Sequence, residues 1–456
     1  MNLQKINSEK FISEKCDLEN LLNQTKIWDL GIGSLLSTFF DNLVIDVFKG
    51  NPLKECFREC VSIILSAFKP KRTTLSKKVI LACHDLKNER FSLLIAPIEV
   101  QLKQAKVEYA AYSSKDLIGT INLKSLIKAT LHYGLNFFAI QKTLSNLKKE
   151  VKWTWSMRLA ANFQILTNLT ITSAIHNDIQ DKNIEVVLVD HDRAFYQNLL
   201  ILAAKKVGIK TQTLVHGTPA IPKKFVPLIA DECLCWGSEQ QSFFKKYGAD
   251  IEQLKIVGFP KFKLPHDEDD CRIRKALNLK NERKVILYIE KGHRSVDNTE
   301  VRNALRDCLK ELGEEWEILV KLHPSQRYEQ QVEIFSGVHR LRVVPMEFEA
   351  VETLSIADLV LIVDSTFTFD SLIYGRPVMF YDPREGGVHG MVKAFVENAG
   401  AKIFTDGISI GKHLANHTEL SLKELTNFES MRQHLEEICA FYGEDSARLI
   451  ANEIMA

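Results

Sequence analysis

From residue 78 onward the chain alternates short, β-rich apolar runs with longer amphipathic segments, and this alternation constrains the fold more than any other feature. Runs such as "KVILACHD", "IEVVLVDHD" and "ADLVLIVD" read as strands, while "RAFYQNLLILAAKKVG" and "VRNALRDCLKEL" read as the helices between such strands. Strand and helix in repeated succession are the signature of a parallel sheet wrapped by helices, so the expected class is α/β.

The alternation occurs twice. The first series adds "AKVEYAAYSS", "KTQTLVHG" and "ADECLCWG" as strands, with long helices to about residue 180 and the helix "SEQQSFFKKYG" closed by Gly248. After "LKIVGFPKF", the proline-and-acid stretch "KLPHDEDDCRIRKALNL" reads as a hinge. The second series then runs through "KVILYIE", "WEILVKLHP", "LRVVP", "ADLVLIVD", "RPVMFYD" and "AKIFTD", with "FEAVETLSI" and "TFTFDSLIYG" among its helices. Ahead of both, residues 1–75 carry helix-spaced apolar positions, as in "LKECFRECVSIILSAF", around the start of the basic connector "KPKRTTLSKK". The expected organisation is a helical extension over 1–75, Rossmann-like doubly wound domains over 76–265 and 266–415, and C-terminal helices over 416–456. Two such domains joined by a hinge place a ligand cleft at the carboxyl ends of their strands.

Composition removes several classes. Fifty-nine basic residues against 58 acidic ones leave a formal charge of +1, too little for nucleic acid as a partner. Nine cysteines without metal-like or disulfide-like spacing point to a reduced, cytoplasmic protein, and Cys233 and Cys235 behave as small hydrophobes on one strand face. No window approaches the ~20 apolar residues that span a bilayer. Peripheral contact at the inner face of the membrane stays open, because the lysines and arginines of the connector suit anionic head groups; a solvated linker is the alternative. The chain lacks a G-x-x-x-x-G-K-[ST] loop and a G-x-G-x-x-G after a strand, which disfavours P-loop NTPases and nicotinamide-dinucleotide folds. "DEDD" at 267–270 imitates a metal-binding D-x-D, but its place in the hinge favours a solvated linker, so no metal and no cofactor are expected.

Polar clusters recur where strands end. "VDHD" supplies Asp190, His191 and Asp192, and "VHGTP" supplies His216 and Gly217. "IEKGHRS" supplies Lys291, His293 and Arg294; "KLHPS" supplies His323 and Pro324; and "VDST" supplies Asp364, Ser365 and Thr366. Hydroxyls at a helix start lie beside unpaired N–H groups at the positive end of the dipole, which suits a phosphate; plain N-capping is the competing explanation. An imidazole at the lip of a strand, such as His323, suits charge that develops on a departing nucleotide, and Lys291 and Arg294 around a glycine make a cationic turn.

The order "HGTP", "KLHP" and "ADLVLIVDSTFTFDSLIYGRPVMFYD" resembles the CDP-glycerol glycerophosphotransferase (teichoic-acid polymerase) family and, more broadly, bacterial capsule-polysaccharide glycosyltransferases of GT-B fold, polysialyltransferases included. The similarity covers about residues 185–385. It implies an acceptor-binding N-terminal domain and a nucleotide-donor-binding C-terminal domain, working without a metal. It further implies that His323, Ser365 and Thr366 hold the donor's phosphates, that His216 faces the reacting centre, and that Asp370 holds the ribose or structures its loop.

The expected reaction moves a sugar or a polyol phosphate from a nucleotide donor to a hydroxyl of a growing surface glycan, free or lipid-linked. His216 is the first choice as base and Asp192 the alternative. A cytidine nucleotide, as CMP-sugar or CDP-polyol, is the leading donor. A UDP-sugar transferase, a nucleotide-sugar 2-epimerase, and a non-catalytic glycan-binding or capsule-assembly scaffold are the competing readings.

Overall fold

A computed structural model describes residues 26–27, 30–31, 35–36, 52–69, 73–75, 77–83, 89–146, 155–215, 217, 225–261, 267–290, 298–323, 326–363, 365–382, 390–417 and 420–456. The chain divides into two compact units, Met1–Lys261 with Phe441–Ala456, and Phe262–Ala440.

The first unit is built on six parallel strands, β1 Val79–Cys83, β2 Tyr109–Ser113, β3 Val186–Val189, β4 Lys210–Leu214, β5 Glu232–Cys235 and β6 Leu254–Ile256. They lie in the order β2-β1-β3-β4-β5-β6, in a register that sets Leu81 beside Leu188 and Val187 beside Thr211. β1 and β3 are buried along their whole length, the mark of strands covered on both faces. The covering helices include α1 Pro52–Ala67, α2 Glu89–Gln104, α3 Leu123–Leu135, α4 Phe137–Asn146, α5 Trp155–Ile179, α6 Phe195–Lys206 and α7 Ser238–Lys246. Ile80, Ile165, Leu169, Val187 and Leu199 belong to the core that joins sheet and helices. Cys233 and Cys235 are fully buried with their sulfurs 3.9 Å apart, and burial holds the Cys233 thiol well above its usual pKa, as packing residues require.

The last helix returns to this unit. Lys210 Nζ and Gln212 Nε2 donate to the Glu453 carbonyl, at 3.4 and 3.0 Å. Phe259 N–H donates to Phe441 O and Gly443 N–H to Phe259 O, at 2.8 and 3.0 Å. Gly258 makes the seam possible, because at its φ of +83° a Cβ would lie 2.1 Å from the Phe441 carbonyl oxygen.

The second unit repeats the plan with β7 Lys284–Ile289, β8 Trp316–Lys321, β9 Leu341–Val343, β10 Leu359–Ile362, β11 Val378–Tyr381 and β12 Ile403–Phe404. All are parallel, in the order β9-β8-β7-β10-β11-β12, which is the strand order of a Rossmann sheet. Ile286, Tyr288, Ile318, Leu361 and Met379 are among its core residues. Helices α8 Asp267–Ala276, α9 Asn298–Glu311, α10 Tyr328–Phe335, α11 Phe367–Ile373, α12 Gly390–Asn398, α13 Gly407–Ala415 and α14 Phe428–Ile438 connect or cover the strands, and α15 Gly443–Met455 is the helix that returns to the first unit.

Two sequence expectations change. "DEDDCRIRKA" is α8 rather than an open hinge: its aspartates sit at the positive end of the helix, Arg274 pairs with Asp270 at 2.6 Å, and Arg272 pairs with the buried Asp269 at 3.0 Å. "FEAVETLSI" holds only the 3₁₀ turn Glu352–Leu354, where the Glu352 carboxylate accepts from Glu349 N–H and meets Arg272.

Candidate functional site

In an open parallel sheet, ligands bind beyond the carboxyl ends of the strands where the strand order reverses. The reversal in the first unit falls between β1 and β3, and the chain leaving β3 carries Asp190, His191 and Asp192. Asp190 is buried; its N–H donates to Ala82 O across the reversal at 3.2 Å, and Gln197 Nε2 reaches its carboxylate at 3.4 Å. The His191 ring lies against Phe225, with centroids 5.0 Å apart. Asp192 faces the following loop, where one carboxylate oxygen accepts from Ile229 N–H at 2.6 Å and Ala230 N–H at 3.3 Å. Buried Arg193 donates to Pro227 O at 2.9 Å, so the residues after β3 bind the loop that leads into β5. Farther along that loop Asp231 accepts from Thr211 N–H and hydroxyl and pairs with Lys205 at 2.8 Å. Burial alone would raise the Asp231 pKa, but Lys205 and Thr211 together hold it below the ordinary aspartate value. Gly217 is buried just past β4, and His216 lies outside the described residues.

The reversal in the second unit falls between β7 and β10, where Ile289 is in register with Ile362. Ser365 and Thr366 follow β10, each half-buried. Ser365 Oγ accepts from Phe367 N–H at 3.2 Å and so performs the capping duty at α11, whereas the Thr366 hydroxyl makes no capping bond. One hydroxyl suffices for the cap. Asp370 is buried on the first turn of α11, beside the fully buried Thr368, whose hydroxyl finds no partner among the described residues.

His323 follows β8 in an exposed turn closed by two bonds: His323 N–H donates to Gln326 Oε1 at 3.0 Å, and Gln326 N–H to His323 O at 2.9 Å. Its imidazole is thereby presented at the strand end. Pro324, Asp364, Lys291 and Arg294 lie outside the described residues.

Beneath this edge the structure gathers ionisable groups that the sequence did not single out. Glu290, Lys321 and Asp382 end β7, β8 and β11 and are all buried. Lys321 Nζ donates to Phe348 O. Burial first, then the charge of Glu290, pushes the Tyr288 phenol far above its usual pKa, and Tyr381, with its ring centroid 6.4 Å from that of Tyr288, is raised as well. The available signal was a charged residue closing an otherwise apolar run, as in "VILYIE". Among the described residues no cluster of three or more His, Cys, Asp or Glu is arranged to hold a metal ion.

Solved structures place this architecture in the GT-B class. The chain superposes on the wall teichoic acid polymerase TagF with a TM-score of 0.51 at 15% identity, over 93% of this chain and 97% of that one. The UDP-GlcNAc 2-epimerase from Neisseria meningitidis bound to UDP-GlcNAc gives 0.51 at 13% identity, over 83% of this chain and 99% of that one. MnaA of S. aureus, solved with UDP, gives 0.51 at 14% identity over 83% and 96%. At these identities the likeness is one of fold. Residues 237–455 match the family model of CDP-Glycerol:Poly(glycerophosphate) glycerophosphotransferase, so the resemblance drawn from "KLHP" and "DST" is shared by the whole second unit and α15. None of the curated proteins matches the chain.

Proposed function

We propose that this protein is a nucleotide-dependent transferase that moves a sugar or a polyol phosphate to a hydroxyl of a growing surface glycan, with a cytidine nucleotide as CMP-sugar or CDP-polyol donor. The observation that carries the reading is the match of residues 237–455 to a glycerophosphotransferase family, in the stretch that holds His323, Ser365, Thr366 and Asp370. In this reading the exposed His323 imidazole donates to a donor phosphate as charge builds on the leaving nucleotide. The Thr366 hydroxyl, free of capping duty, and Ser365 orient the same phosphates, with Lys291 and Arg294 adding positive charge. Asp364 and Asp370 hold the loop and the ribose.

On the acceptor side His216 takes the hydroxyl proton, a task suited to an imidazole whose unperturbed pKa of ~6.5 lies near neutrality. Asp192 is better read as the anchor of the 227–231 loop, because its carboxylate already serves two backbone donors. The acceptor is a glycan or lipid-linked glycan, which makes peripheral contact with the inner face of the membrane part of the same reading.

Thermal-shift measurements with CMP, CDP, UMP, UDP and GDP test the donor. A cytidine nucleotide at about 100 times its Kd stabilises the fold by about 2.7 kcal/mol, and a flat panel removes any nucleotide-dependent role. Replacing His323 by Ala lowers turnover by about a hundredfold or more while the melting temperature stays put, because the ring is exposed. Full turnover in that variant would remove His323 from the phosphate site. An epimerised sugar formed from donor alone would replace the transferase reading with the 2-epimerase one.

A further inference from the structure

The end of β5 holds buried donors that the strand-end chemistry of the first unit does not use. Trp236 follows β5 at the carboxyl edge of the sheet, one strand over from β4 and Gly217. It is fully buried, with its ring over that of Phe259 at a centroid separation of 4.1 Å, yet its indole Nε1–H finds no acceptor among the described residues. Gly237 is the N-cap of α7 and brings no side chain to accept from the amides of the first turn. The helical ladder begins with Gln241 N–H donating to Gly237 O at 3.1 Å.

Gln240 sits in that first turn and is also fully buried. Its Oε1 accepts from Trp236 N–H at 2.8 Å, which turns the carboxamide back to the start of the helix. The Nε2 of the same amide is therefore held there as well, and it too has no acceptor among the described residues. Buried polar groups are almost always bonded, and an unmet one is costly. Two buried side-chain donors four residues apart, joined through one hydrogen bond at a helix start, ask for the same kind of partner.

That partner brings acceptors and no donors, and the positive end of α7 favours negative charge on it. Half-buried Glu239, on the same turn, favours a single charge over a double one. A phosphodiester and a carboxylate both meet these terms, since each shares one negative charge between two acceptor oxygens. A nucleotide diphosphate carries more charge, which sets this place apart from a site for the donor's phosphates. Ser238 is exposed, so the start of α7 is open to solvent.

We propose that the turn between β5 and α7 binds a singly charged, two-oxygen group of the acceptor, a phosphodiester or a carboxylate, which enters past Ser238 and takes the Trp236 Nε1–H and Gln240 Nε2–H bonds. That the ligand is the acceptor rests on the transferase reading; that the turn takes such an anion does not.

Indole resonances of the full chain test it. The chain has five tryptophans, and the Nε1–H signal of Trp236 is the one missing from Trp236→Phe. Glycerophosphoglycerol supplies a phosphodiester, glucuronate a carboxylate, and glycerol neither. The Trp236 signal moves downfield and saturates with one or both anions, while glycerol leaves it in place; which anion acts tells whether the acceptor is phosphate-linked or an acidic sugar. Trp236→Phe keeps a ring against Phe259 and binds the effective anion, measured by calorimetry, at least about tenfold more weakly. Gln240→Glu keeps an acceptor for Trp236 N–H, replaces the NH2 donor by oxygen and weakens binding by at least about tenfold. If circular dichroism shows that variant unfolded, Trp236→Phe carries the test. A Trp236 signal that neither anion moves overturns the proposal, and so does an equal response to glycerol or undiminished binding by Trp236→Phe. No donor enters these titrations. A responding indole in a protein without turnover therefore counts against the transferase reading alone, and turnover with a silent indole removes only this site.

Discussion

Replacing Asp192 separates a structural carboxylate from a chemical one. One oxygen of Asp192 accepts from Ile229 N–H at 2.6 Å and Ala230 N–H at 3.3 Å, and the residue is buried. Asp192→Ala leaves two backbone donors inside the protein without an acceptor. Each such loss costs about 1–3 kcal/mol, and the longer bond contributes less, so the variant loses about 3 kcal/mol. For a unit of this size that lowers the melting temperature by about 6–10 °C. Asp192→Asn keeps a carbonyl oxygen facing the same donors and gives up only the charge, so it loses about 1 kcal/mol. An amide cannot take a proton from a hydroxyl. Differential scanning fluorimetry and donor turnover on the two variants therefore give four numbers with one expected pattern: Ala unstable, Asn nearly stable, and Asn active. A melting temperature within 1–2 °C of wild type for Asp192→Ala, against the ~6–10 °C expected, refutes the anchor. A stable Asp192→Asn whose turnover falls by about a hundredfold makes Asp192 the base after all.

Two other outcomes follow from the first unit. Gly258→Ala forces a Cβ to within 2.1 Å of Phe441 O at a positive φ, costs at least about 2 kcal/mol, and exposes α15 to limited proteolysis; an unchanged melting temperature and digestion pattern would mean that the seam yields freely. The Asp231 pKa is lowered in the folded state, so its stabilisation is present above the unfolded aspartate pKa of ~3.9 and is lost as pH falls through the lower folded value. Asp231→Asn accordingly melts below wild type at neutral pH, and the gap narrows as the solution is acidified; a gap that widens as pH falls contradicts the sign.

The strands were legible because most are short, apolar and separated by helix-length segments, and their ends carried the polar residues that the structure sets at both reversals. Ser365 follows β10 at the second reversal and His323 follows β8 away from it, and both stood out in the sequence as polar residues closing an apolar run. What the sequence hid are contacts made at a distance. Asp192 looked like a candidate base because nothing in "VDHD" reveals that Ile229 and Ala230 donate to it from a loop 37 and 38 residues on. α5 is buried on nearly all sides through its C-terminal two-thirds, so its run of Thr, Ser and Asn carries no amphipathic period to mark which side faces the sheet. "DEDD" read as linker because its compensation comes from Arg272 and Arg274, downstream in the same helix. Glu290 and Lys321 were not singled out, since burial is invisible in one dimension.

The return of α15 to the first unit sets an order of events during synthesis. Residues up to 261 leave the ribosome with Phe259 N–H and the donors Lys210 Nζ and Gln212 Nε2 still lacking the carbonyls of Phe441 and Glu453. The second unit is contiguous and precedes those partners in the chain, so its strands emerge first. The half of the protein that is made first is therefore the half that is finished last, and the first unit keeps an open seam while the strands of the second unit emerge.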